Sequence, residues 1–106
     1  MGNRVVVTGL GCVSPLGNDV PTTWAACSNG KSGIDRITHF DPEELRSQIA
    51  GEVKDFQLPE IIPQKEAKKM DLFIQYSIKA TQEALLDANL EITKDIEEDV
   101  GVSMGV

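Results

Sequence analysis

Three lysines, Lys65, Lys68 and Lys69, are the residues whose type and spacing could act on something outside the chain. At separations of three and four on a helix they project from one face, and only Glu66 opposes them. The rest of the chain is acidic. Its formal net charge is −7, and the stretch from Glu83 to Asp99 carries seven acids against Lys94 alone. A basic knot on an acidic chain lacks the broad basic face that nucleic acid requires. It suits a compact acidic partner gathered by long-range attraction. The same lysines also read as an ordinary solvated face, and sequence alone leaves both readings open.

Other residues offer less. Gly9-Leu10-Gly11 follows a valine run and suggests a dinucleotide fingerprint, but the third glycine is replaced by Ser14, Pro15 follows, and the next helix starts only near Pro21. A pyrophosphate site needs that helix start directly after the glycines, so tight packing of the loop against the sheet explains them better. Cys12 and Cys27 with the lone His39 make neither a disulfide framework nor a zinc set. A catalytic thiol needs a nearby base or positive field, and nothing in the spacing brings His39 to Cys12. Both cysteines read as small packing residues, and His39 as a hydrogen-bonded loop residue.

The elements that would position these groups follow from the pattern. Val5, Val6 and Val7 form a continuous β-branched run, expected as a strand covered on both faces, and it leads into the turn Thr8–Gly17. Pro21 to Asn29 is expected as a helix with Gly30 closing it and Trp24, Ala25 and Cys27 facing inward. Lys31–Ile34 reads as a turn that leaves Asp35 outside any strand. Asp41-Pro42 opens a helical turn through Leu45. Ile49–Phe56 alternates like a half-exposed strand, and Pro59 and Pro63 bracket a linker. The strongest period runs from Met70 to Asn89. There Ser77, Ala80, Thr81, Ala84 and Ala88 lie along the middle of an apolar arc, with Gln75, Lys79 and Gln82 opposite. Small residues at that position predict close approach by another element and a deeply buried helix. Asp99–Val106 is expected as a last strand, parallel to the first.

With 41% apolar residues in 106, the chain is expected to form one α/β unit and no membrane span. No signal peptide is visible, so the cytosol is the expected compartment. A sheet that stops at Val106 with its edges uncovered reads as the opening part of something larger.

These motifs together resemble the β-ketoacyl-acyl carrier protein synthases of type II. The matching stretches are VVVTGLGCVSPLGN, the Trp24 helix with GKSGI, HFD at His39–Asp41, IAGEVKDF and KEAKKMDLFIQYSIKA, in family order across essentially the whole chain. The resemblance implies the N-terminal part of a thiolase-like α-β-α-β-α layered fold, with the sheet incomplete over residues 1–106. It implies a parent acyltransferase, dimeric, that moves an acyl group from acyl carrier protein to a cysteine. Condensation with malonyl-acyl carrier protein follows, without metal or redox cofactor. The family's cysteine and two histidines match no residue here, so this stretch alone is expected to be inert. Lys65, Lys68 and Lys69 match the basic positions that the family turns toward its carrier. The alternative is a non-catalytic module that docks an acidic carrier protein.

Overall fold

The computed structural model describes residues 2–105. In chain order it contains α1 (Val20–Ser28), β1 (Ile34–Arg36), β2 (Ile49–Gly51), α2 (Gln64–Ala67) and α3 (Leu72–Asp87), followed by a short 3-10 turn at Glu97–Asp99.

The 16-residue α3 is the element on which the others lean. Its predicted stripe of small residues is used by residues 9–12, which run antiparallel along it. A side chain at Gly9 would meet the Ala84 carbonyl oxygen, with Ala88 Cβ only 2.7 Å away, and one at Gly11 would meet the Ala80 carbonyl oxygen. The contacts repeat because two residues of extended chain advance about 6.6 Å and four residues of helix about 6.0 Å. The glycines are there for close approach, but the surface they pack on is α3 and not the expected sheet.

Several expectations are corrected. Val5, Val6 and Val7 are 90%, 60% and 78% exposed and pair with no strand among the described residues. Their β-branched run favours an extended backbone, but a ladder also needs a second strand. The segment after Asp99 likewise forms no strand over the described residues, so the expected parallel pairing is absent there; Val106 lies outside them. Instead Val102, Met104 and Gly105 border an apolar groove of about 610 Å³ on α3, with Phe73, Ile78 and Leu85 among its other walls. The α3 arc is therefore half-covered and not deeply buried.

The observed sheet is a two-stranded antiparallel ribbon, with Ile34 opposite Gly51, Asp35 opposite Ala50 and Arg36 opposite Ile49. Thus Ile34 and Asp35 belong to a strand, and the strand expected over Ile49–Phe56 shrinks to three residues. Asp41–Leu45 forms a turn and no helix, closed by the Leu45 amide on the Pro42 carbonyl at 2.9 Å.

The first helix starts one residue earlier than expected, because the Asp19 carboxylate caps it by accepting the Thr22 amide at 2.8 Å. Hydrogen bonds from Thr22 hold that carboxyl below its usual range, and the Lys79 charge adds to the effect. Gly30, at φ +70°, closes the helix in the left-handed region. Trp24 is 69% exposed, and Ala25 and Cys27 are exposed too, so the expected inward face has nothing to pack on. Ile62 is the one buried large apolar side chain of the described residues.

Candidate functional site

The three lysines stand on a single helical turn whose footing is explicit. Ile62, 5% exposed, anchors the chain just ahead of it, and the Ile62 amide donates to Pro59 O at 3.0 Å. Lys65 lies within α2, Lys68 is its C-terminal cap residue, and the turn continues as the Lys69 and Met70 amides reach Glu66 O and Ala67 O. Gln75, expected on the solvent side of α3, is part-buried instead. Its Nε2 donates to Ala67 O at 3.2 Å and Met70 O at 3.4 Å. Those carbonyls end a short helix and need donors, so Gln75 ties the lysine turn to the start of α3.

All three lysines are exposed. Among the described residues only Lys69 of the three has a carboxylate partner, Glu66 Oε1 at 4.0 Å, and at 76% side-chain exposure that pair is weak. The patch therefore keeps its charge available at the surface. It borders the α3 groove, because Ile61, Phe73 and Ile74 on either side of the turn line that groove.

Within residues 9–20, three amides are already held by carboxylates of α3. The Leu10 amide donates to Asp87 Oδ2 at 3.0 Å, the Cys12 amide to Glu83 Oε1 at 2.9 Å, and the Val20 amide to Glu83 Oε2 at 3.0 Å. Carboxylates occupy the donors and supply the wrong charge for an anion. Sequence reasoning counted Glu83 and Asp87 only as part of an acidic run. Their i, i+4 spacing beside the Ala80/Ala84/Ala88 stripe was the signal that they face the chain.

Cys12 and His39 are held by different neighbours. The Cys12 thiol lies 3.8 Å from Thr23 Oγ1, which is itself 2.9 Å from Ser14 Oγ. His39 sits beside Glu52, with Nδ1 3.4 Å from Oε2. Glu52 is a structural knot: its side chain is 12% exposed and accepts the Thr38 amide (2.9 Å), the Thr38 hydroxyl (3.0 Å) and the His39 amide (3.1 Å). Burial pushes the Glu52 carboxyl up, but the bonds from Thr38 and His39 outweigh it and leave the group below its usual range. His39 is thus the hydrogen-bonded loop residue expected. No cluster of three potential metal ligands occurs among the described residues, and no helix there is long and apolar enough to cross a membrane.

Comparison with known proteins agrees with this picture. The chain is 47% identical over 102 residues to the 3-oxoacyl-[acyl-carrier-protein] synthase 2 of Staphylococcus aureus (strain COL), covering 96% of this chain and 25% of the relative. It is 51% identical over 102 residues to the enzyme of the same name from Vibrio harveyi, at the same coverage. The chain thus spans about a quarter of the length of these curated relatives. A solved structure, the ishigamide ketosynthase/chain length factor, superimposes with a TM-score of 0.68 at 33% identity over 91% of this chain and 23% of that one. Residues 2–106 match the β-ketoacyl synthase N-terminal domain, and the chain belongs to that family.

Proposed function

We propose that residues 1–106 form the opening part of the first thiolase-like half of a type II 3-oxoacyl-[acyl-carrier-protein] synthase. The parent protein, a dimer of the α-β-α-β-α type, condenses acyl groups with malonyl-acyl carrier protein during fatty acid elongation. The observation that carries this reading is the 47–51% identity over 96% of the chain to relatives of that name.

In that reaction the acyl group passes to a cysteine thiolate, and attack by the decarboxylated malonyl unit extends it by two carbons. The chemistry needs a nucleophilic thiol and donors for a developing oxyanion. Cys12, Cys27 and His39 serve neither role, since each is tied to local structure or stands apart. This stretch contributes docking instead. Lys65, Lys68 and Lys69 are exposed, mutually adjacent on one turn and little compensated. They form part of the surface that receives the acidic carrier protein.

The test is a comparison of the 106-residue chain with the product of the full gene, each given acyl- and malonyl-loaded carrier. Ketoacyl product from the full product alone, with carrier binding retained by the lysine turn, supports the assignment. A reading frame that ends at Val106 and a chain that binds carrier without turnover would favour the docking-module alternative.

A further inference from the structure

We propose that Glu83 and Asp87 form a carboxylate clamp that holds the loop from Leu10 to Val20 closed on α3, with Glu83 as its bridging member. The inference is independent of the carrier-docking assignment.

Glu83 accepts two amides that are eight residues apart in sequence, Cys12 on Oε1 and Val20 on Oε2, at 2.9 Å and 3.0 Å. It therefore closes both ends of the loop through one side chain. Asp87, one turn further along α3, takes the Leu10 amide at 3.0 Å. The two acceptors match the close approaches of Gly9 and Gly11 to Ala84 and Ala80, so backbone contact and side-chain capture share one register. Between them the loop closes on itself through the Ser14–Gly17 bridge, whose amides donate at 2.8 Å and 3.2 Å. The cleft beside the clamp also contains Asp19 and Lys79. Lys79 shares that cleft, and its charge acts on the Asp19 carboxyl.

Each amide bonded this way is one that no strand satisfies. The clamp does for residues 10–12 what a neighbouring strand would do, but through side chains. A side-chain acceptor can be removed without altering the backbone, so closure of this loop is separable from folding of α3.

Cys12 and Cys27 report the state of the clamp within one molecule. Cys12 is part-covered inside the loop, whereas Cys27 is exposed at the end of α1. Alkylation by iodoacetamide, read site by site by mass spectrometry, gives the ratio of the two rates. In the 106-residue chain Cys12 is expected to react several-fold more slowly than Cys27. Glu83→Gln, which keeps one acceptor oxygen, and Glu83→Ala, which keeps none, are expected to raise the ratio in that order. Asp87→Asn, which affects Leu10 alone, is expected to raise it least. Ile62→Ala serves as the reference for general loosening. An unchanged ratio in Glu83→Ala, or the same rise in Ile62→Ala as in Glu83→Gln, would overturn the clamp. Hydrogen exchange of the unsubstituted chain gives a variant-free check. Leu10, Cys12 and Val20 amides are expected to be protected, and free exchange at all three would equally overturn it.

Discussion

A methyl group at position 11 would have to occupy the space of the Ala80 carbonyl oxygen. Backbone cannot swing aside as a flexible side chain can, so Gly11→Ala must push residues 9–12 off α3. The cost is expected at about 1–3 kcal/mol, seen as a lower denaturation midpoint. Gly2→Ala meets nothing within 4 Å and is expected to leave the midpoint unchanged. Glu52 supports the ribbon differently. Its carboxyl is held below the unfolded value, so its contribution is complete above the unfolded carboxylate range and is lost as pH falls through the folded value. Protection of the Thr38 and His39 amides, relative to their intrinsic exchange rates, is therefore expected to fall below about pH 4.5, the ordinary value for glutamate. In Glu52→Gln those amides are expected to exchange faster at neutral pH and to lose that acid step.

At the scale of elements, the lysine turn invites charge reversal. Replacing Lys65, Lys68 and Lys69 by glutamate in the full-length parent is expected to weaken carrier binding about tenfold or more at low salt. Three exposed pairs at up to about 1 kcal/mol each suffice for that. The salt dependence of affinity should flatten, and unchanged affinity would return the lysines to an ordinary solvated face. The two long helices were legible from sequence because their signals are local. A 3.6-residue period and a small-residue stripe mark α3, while Pro21 and Gly30 frame α1. What stayed hidden depends on partners distant in sequence. The valine run dictates an extended backbone but cannot say whether another strand lies beside it. Ile34–Arg36 is too short to show a period, and its identity as β1 comes from Ile49–Gly51 across the ribbon. Glu83, Asp87 and Gln75 look like solvent-facing polar residues until the backbone groups they capture are in place. The lysines themselves were legible by type and spacing, whereas their footing on Ile62 and Gln75 was not.

Taken as a whole, the described chain is open. Its radius of gyration is 17.1 Å, against about 13 Å for a compact domain of this length. Val5, Val7, Trp24, Leu86 and Val102 are each more than two-thirds exposed. Apolar surface on that scale drives association, so the 106-residue chain is expected to form concentration-dependent aggregates in sedimentation or light scattering. A monodisperse monomer with a sharp cooperative melt would contradict this. That Ile62 is the one buried large apolar side chain among the described residues carries a thermodynamic consequence as well. Denaturant slope and heat-capacity increment both measure the surface newly wetted when a chain lets go. A chain already wet over most of its apolar atoms has little left to wet. In dilute solution its urea dependence should fall below the roughly 1 kcal/mol/M typical of small proteins, and its stability curve should be nearly flat with temperature.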